Sequence, residues 1–442
     1  MLLGTLLFIS ACSEDLEQFP SNVASSESLT EFDGVLNAAY YYQLGAVTPW
    51  AVMGDFRSDN AFMFEPPYTE FDQFGPGLTT MEDQFMGPLY TALYKSILSA
   101  NSVIENSSRA TEVGEAKFLR ALSYFKLVQA FGAVTVNLLA QPPLDDPSFF
   151  VRQPATTVYN SVIIPDLKDA IASLDNSSIL SDQRASNLAA KGLLGKVYLA
   201  MGDYVNAEPL LADVVNEASG AGIGLVGNFE NIFGAANEVG NSEIIFSTQI
   251  ASSIIDEYSF ASRFWNWYVG DDSKSDFPVD PDLIAAFDAS DATGGGTDLR
   301  RAITISSDGL TAIKFPKDGG LGSEHNWIEI RLADIILLYA ETLNENGSPA
   351  SVVLPLLDGI RTRAGLNSLT GTVSSQEDVR QVIANERRLE LAFEGQRWFD
   401  LVRTGTVDAE MGETVGSDYL LFPIPVSEVL ATDGVITQNP GY

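Results

Sequence analysis

Residues 385–405 read NERRLELAFEGQRWFDLVRTG. This run constrains the fold more than any other, because its charges are unusual for a surface helix. Arg387, Arg388, Glu390, Glu394, Arg397, Asp400 and Arg403 alternate with Leu389, Leu391, Phe393, Trp398, Phe399 and Leu401. At helical spacing Arg387–Glu390, Glu394–Arg397 and Asp400–Arg403 stand three residues apart and can pair. Paired charges beside large aromatics define a packed structural helix rather than a catalytic one. The spacing predicts one last helix over residues 375–403.

Four further blocks accompany it. Residues 330–345 read IRLADIILLYAETLNE, and the tail from 421 to 442 carries FPIP, a Glu and QNPGY. Residues 115–132 read EAKFLRALSYFKLVQAFG, and 191–207 read KGLLGKVYLAMGDYVNA. With the 385–405 run, these blocks resemble, in order and over nearly the whole chain, the SusD/RagB family of nutrient-binding surface lipoproteins of Bacteroidetes. The resemblance implies a mainly α fold: a right-handed scaffold of tetratricopeptide-like helical hairpins with an irregular, loop-rich lobe laid against it. It also implies reversible capture of a glycan. The protein would close like a lid over a SusC-like TonB-dependent transporter and open to take ligand.

The helical periodicity can be followed directly. Helices are expected over 28–44, 84–105, 112–132 and 156–174, with Gly132 as a stop. Residues 187–201 and 204–217 form a hairpin around Gly202-Asp203, whose sequence resembles a tetratricopeptide turn. Residues 327–344 and 350–363 form another, with Pro355 suggesting a kink. The helical pairs thus fall at about 84–217 and 326–403 of one domain spanning 28–442. Trp327 and Trp398 lie in the family-like blocks and are read as core. His325, at the entry to the 327 helix, is read as a surface or capping residue.

The net charge is −34, from 25 Lys+Arg against 59 Asp+Glu. So acidic a surface repels phosphate backbones, which excludes nucleic acid as a natural partner. It suits solubility in a salty medium, or affinity for cations. One Cys and one His exclude an internal disulfide and leave too few ligands for a zinc site. No cofactor or metal is expected.

Residues 2–11 form an apolar run too short to span a bilayer. Ile9-Ser10-Ala11-Cys12 resembles a bacterial lipobox, which makes residues 1–11 a signal peptide, Cys12 the lipidated residue and 12–27 a tether. Its acyl chains would anchor the protein to the outer membrane. No Lys or Arg precedes the run, so the start is expected upstream. Ser13-Glu14-Asp15 resembles the surface-export signal of such lipoproteins, placing the protein on the cell surface.

Two stretches lack helical periodicity, 48–80 and 218–323, with β-like runs at 243–249 and 302–305. Long loops in compact domains tend to carry function. Gly222-Ile-Gly224-Leu-Val-Gly227 matches a dinucleotide fingerprint in letters, but it follows a helix instead of a strand. Asp271-Asp272 and Asp288…Asp291 could be posed as a glycosidase pair, yet no motif singles them out, and 288–298 lacks EF-hand spacing.

Glycan sites need flat aromatic faces to stack on sugars, and amides, carboxylates and Arg to bond hydroxyls. Two clusters offer this. One holds Trp50, Arg57, Asp59, Asn60, Phe62, Phe64, Tyr68, Phe71 and Asp72; from it Arg57, Asn60, Tyr68, Phe71 and Asp72 are the candidate ligand contacts. The other is Arg263 to Asp272, with Trp265, Asn266, Trp267 and Tyr268 as candidates. An extended chain would turn Trp265 and Trp267 to one face. The resemblance puts the ligand groove in these regions. The alternatives are a peptide ligand, as in RagB-like members, a glycoside hydrolase on the same polymers, or a structural helical-repeat adaptor.

Overall fold

A computed structural model of the chain describes residues 31–250, 279–315 and 325–442. Its helices are α1 (Asp33–Asp55), α2 (Gly87–Asn106), α3 (Ala110–Phe131), α4 (Ile164–Ser173), α5 (Asn187–Ala200), α6 (Tyr204–Glu217), α7 (Pro281–Gly294), α8 (Leu332–Glu345), α9 (Ala350–Arg363), α10 (Gln376–Leu391) and α11 (Arg397–Thr404). Shorter helical turns join them. Cys12 and the tether lie outside the described residues, and no described helix is long and apolar enough to cross a membrane.

The scaffold runs in chain order. Helix α1 packs on α2, α2 on α3, α3 on α4, α4 on α5, α5 on α6, α6 on α8, and α8 on both α9 and α10. From α1 to α6 each helix packs on its neighbour in sequence, the logic of a helical-repeat array. Local signals set several ends. Ser186 accepts from the Ala189 amide to cap α5, Asp203 accepts from Asn206 to cap α6, and Ser375 accepts from Asp378 to cap α10.

Two strands, β1 (Ile244–Thr248) and β2 (Trp327–Arg331), pair antiparallel and are buried throughout. The 327 helix therefore starts later than the periodicity suggested. Trp327-Ile-Glu-Ile-Arg alternates with period two and is rich in β-formers, so it pairs before the helix begins at Leu332. The buried ring of Trp327 keeps its core role, as does Trp398 on α11.

Other expectations change as well. Helix α1 continues to Asp55 through Pro49, so 48–55 is not loop. Every residue from Gly45 to Asp55 is buried, and that packing outweighs the amide bond Pro49 lacks. Residues 302–304 lie in a helical turn (Arg301–Thr304), not a strand; Ile305 alone forms a β-bridge, with Ala312, and α7 occupies part of the span read as irregular.

The last helix is two helices. Between α10 and α11 the chain breaks at Phe393 and Gly395, with φ of +64° and +70°. The reason is a backbone crossing. A Cβ on Gly54, in the last turn of α1, would lie 2.2 Å from the carbonyl oxygen of Gly395. The break passes flat across α1, and only glycine admits that approach. Gly54→Ala is expected to lower stability by about 3 kcal/mol, the upper part of the overpacking range, because backbone rather than a side chain must move. Urea unfolding checks this; an unshifted midpoint would mean the crossing has slack.

The charges of this segment turn inward. Of the three local pairs expected, only Asp400–Arg403 forms, at 2.8 Å. Arg387 binds Asp334 at 2.8 Å and Asp400 at 2.9 Å. Glu390 and Glu394 receive Arg331 at 2.7 and 2.8 Å, and Arg397 forks onto Asp59 with two bonds of 2.7 Å. Sequence-local pairing yields to partners on other elements because the helix face carrying these charges is the buried one.

Candidate ligand-binding site

The loop after α1 is held by the 385–405 segment. Asp55 accepts from Asn60 Nδ2 at 3.0 Å and from the amides of Phe393 and Gly395 at 3.2 and 2.7 Å. Burial nevertheless pushes its carboxyl up to about 6. Arg388 donates to the Asn60 side chain at 3.3 Å, and Arg397 clamps Asp59. Arg57 lies 5.0 Å from the ring centres of Phe74 and Trp398 and 5.4 Å from that of Phe422. It donates to the carbonyls of Phe71 and Tyr419 at 3.3 and 2.6 Å. Burial pulls its guanidinium down to about 10.

This arrangement reassigns four candidate contacts. Arg57, Asn60 and Phe71 have no accessible surface beyond 1%, and Tyr68 is buried. They form the support of the loop and offer a ligand nothing directly. Trp50 is likewise buried, stacked on Phe399 at 4.1 Å. Asp72 is half-buried and accepts from the Met63 amide at 2.5 Å.

What the support presents outward is Phe62 and Phe64, 40% and 62% exposed, with Met63 between them turned in. Their ring centres are 6.0 Å apart and the planes are inclined by 50°. Ala61 bridges to Val279, and the Asp280 amide donates to the Asn60 carbonyl at 3.0 Å. Val279 and Asp280 thus pair with the backbone just before the two rings. Trp265, Asn266, Trp267 and Tyr268 lie outside the described residues. Phe62 and Phe64 were in the aromatic cluster but were not singled out; the alternation Phe62-Met63-Phe64 ahead of Pro66-Pro67 was the available signal.

Asp72 makes this corner sensitive to pH. Burial, then Asp280 and Glu413, push its carboxyl up to about 7 against the pull of Met63 and Arg57. A raised carboxyl keeps a proton that the unfolded chain has released. Its stability contribution is complete below the ordinary carboxylate range and is lost as pH rises to about 7. Asp72→Asn keeps an acceptor for Met63 and is expected to gain on wild type between pH 4.5 and 8. Urea midpoints at both pH values test this; parallel midpoints would sink it.

His325 is buried, not at the surface. Its Nε2 accepts from the Gly234 amide, Nδ1 lies 2.8 Å from the Asn326 carbonyl, and Phe315 meets the ring edge-on at 5.3 Å. Gly222 to Gly227 follows a 3-10 turn (Ala218–Ala221) and leads to another (Phe229–Ile232), not the strand–turn–helix of a dinucleotide site. Asp288 pairs with Arg301, and Asp291 accepts from the Asp298 amide at 2.6 Å, so both serve local structure. Asp271-Asp272 lies outside the described residues. No cluster suited to a metal ion occurs among the described residues.

Helices stacked in chain order, with a loop lobe clamped onto their concluding segment, define a tetratricopeptide-like scaffold that displays aromatic faces on a rigid support. Comparison with known proteins agrees. Residues 312–442 match the SusD family (SusD/RagB), and residues 12–199 match a family described as starch-binding and associating with the outer membrane. The SusD-like protein P2 of Formosa agariphila is 25% identical over 99% of this chain and 98% of its own. A SusD-like protein of Bacteroides ovatus is 24% identical over 90% and 80%. A laminarin-binding SusD-like protein superposes with a TM-score of 0.70 at 26% identity, covering 94% of this chain and 99% of that one. A SusD homolog from Bacteroides thetaiotaomicron gives 0.77 at 20% identity over 94% and 97%, a likeness of fold. The chain belongs to the SusD/RagB family.

Proposed function

We propose that this protein is a non-catalytic, lipid-anchored capture protein of the cell surface. It binds an oligo- or polysaccharide and passes it to a SusC-type TonB-dependent transporter. The observation that carries the reading is the exposed pair Phe62 and Phe64 on a loop fixed by buried ion pairs. Sugars offer C–H faces that stack on such rings, and rigid presentation limits the entropy lost on binding. Membership of a family described as starch-binding and outer-membrane-associated supports it. The likeness to a laminarin-binding protein makes laminarin the first polymer to test. Cys12 is the lipid attachment and residues 12–27 the tether, and the stretch 28–442 acts as one binding domain.

The test is a glycan array probed with the chain from Ser13 onward, followed by incubation of each hit with the protein and chromatography of the products. Binding to one polysaccharide class, with the polymer recovered intact, is the expected result. A blank array from folded protein would overturn glycan capture and favour the peptide ligands of RagB-like members. Shortened products would overturn the non-catalytic reading and favour a glycoside hydrolase.

A further inference from the structure

We propose that the groove between the N-terminal half of α1, residues 181–184 and β1 is a second saccharide subsite, specific for a neutral sugar. This rests on the reading of the protein as a glycan-capture protein. The groove encloses about 640 Å³, within the range of small-ligand sites. Its lining residues Asn37 to Leu44 stand about 17–27 Å along α1 from Asp55, the end of the helix that leads into the Phe62 loop, given the rise per residue of a helix.

Its polar corner is built before any ligand arrives. The Arg184 guanidinium lies 4.0 Å from the centre of the Tyr40 ring and donates to Glu115 and Asn37, each at 2.9 Å. The Tyr40 hydroxyl donates to Glu115 at 2.6 Å and accepts from the Ala185 amide at 3.1 Å. Gln183 beside it is buried at φ +50°, a conformation few residues with side chains adopt. Ser247 Oγ donates to its side chain at 2.7 Å, and the Ser247 amide donates to its carbonyl at 3.2 Å, which holds the strain in place. Backbone strain kept by its surroundings concentrates at ligand sites.

A second observation points to the ligand's chemistry. Gln43 borders the groove, is 1% exposed, and donates from Nε2 to Ser96 and Ser123 at 2.8 and 2.7 Å. Those hydroxyls donate onward to the Ala39 and Leu119 carbonyls, so the amide cannot be turned over. Gln43 Oε1 is left buried with no donor. The missing partner is an O–H or N–H group, and sugar hydroxyls supply the first. Charge excludes an acidic sugar: Glu115 already neutralises Arg184, and Asp182 stands exposed on the rim.

Isothermal titration with trisaccharides tests this, since each is too short to span both positions. The set comprises β-1,3-, β-1,4- and α-1,4-linked glucose and β-1,4-linked mannose. Wild type is expected to bind two equivalents of at least one member. Ser181→Trp, at an exposed rim position, fills the mouth and is expected to leave one. Phe62→Ala with Phe64→Ala is expected to leave the other. Val239→Trp, at a rim residue 90% exposed, repeats the block should Ser181→Trp fold poorly. A single equivalent untouched by either rim variant would overturn the subsite and spare the capture reading. No binding of any trisaccharide by wild type would overturn both.

Discussion

Phe62→Ala combined with Phe64→Ala is expected to weaken glycan binding at that position about 100-fold or more, with the circular dichroism spectrum unchanged. Each ring removed as a binding hot spot costs about 2 kcal/mol, and each 1.4 kcal/mol is a factor of ten. Both rings project from the surface while Met63 between them is turned inward, so the backbone support survives the change. Phe71→Ala is the informative contrast. Phe71 is fully buried against Phe56 and Phe85, with ring centres 6.3 and 5.6 Å away. Its removal is expected to cost about 3–5 kcal/mol of stability and to leave the affinity of the folded fraction unchanged. Trp265→Ala with Trp267→Ala tests the other cluster with the same assay and is expected to abolish binding at the Phe62/Phe64 position without unfolding. Wild-type affinity in the Phe62/Phe64 variant would remove those rings from the site; weakened affinity in folded Phe71→Ala would return the buried cluster to it.

The contrast also marks where sequence reading ran out. Helices with strong periodicity were legible almost to the residue: α6 and α9 have the bounds expected, and α5 ends one residue earlier. The breaks were not, because they depend on contact with distant chain. Glu394-Gly395 inside an amphipathic pattern is tolerable in a helix; what stops it is Gly54, remote in sequence. Pro49 should have ended α1, and burial of the whole following turn overrode it. Composition found the aromatic cluster after α1 but could not tell inward from outward rings. Arg57 and Asn60 suit hydroxyl recognition as well as they suit buried support, and only their partners Tyr419, Asp55 and Arg388 decide. The charges of 385–405 were judged structural, correctly, but were paired locally because partners on β2, α8 and the 298–314 stretch are invisible to spacing.

Those distant partners set the second large effect. Arg331→Met is expected to destabilise the protein by about 3–5 kcal/mol at pH 7, the cost of leaving a buried charge without its partner. Arg331 donates to Glu243 at 2.8 Å, to Glu390 at 2.7 Å and to both carboxylate oxygens of Glu394 at 2.8 Å. Around it five cations (Arg300, Lys314, Arg331, Arg361, Arg363) meet five anions (Glu243, Asp298, Glu386, Glu390, Glu394), all with buried side chains. The cluster is balanced, and losing one guanidinium strands a negative charge where water cannot reach it. Burial pushes the Glu390 carboxyl up, but Arg363, Arg331 and Arg300 outweigh it and hold the group well below the usual carboxylate range. Glu394 is likewise held low by Arg331 and Lys314 against burial. A depressed carboxyl contributes stability above its unfolded pKa and loses it as pH falls toward the folded one. Wild type should therefore lose stability steeply below pH 4, and Arg331→Met, with both carboxyls released upward, should lose less. The gap between the two in urea unfolding is expected to be widest at pH 7 and to narrow at pH 3. Arg380→Ala is the control: its side chain is 41% exposed while paired with Glu345 and Glu377, and an exposed pair contributes less than about 1 kcal/mol. Equal losses from Arg331→Met and Arg380→Ala would show that the buried cluster contributes no more than a surface pair. A gap that stays constant with pH would show that Glu390 and Glu394 owe their acidity to something other than Arg331.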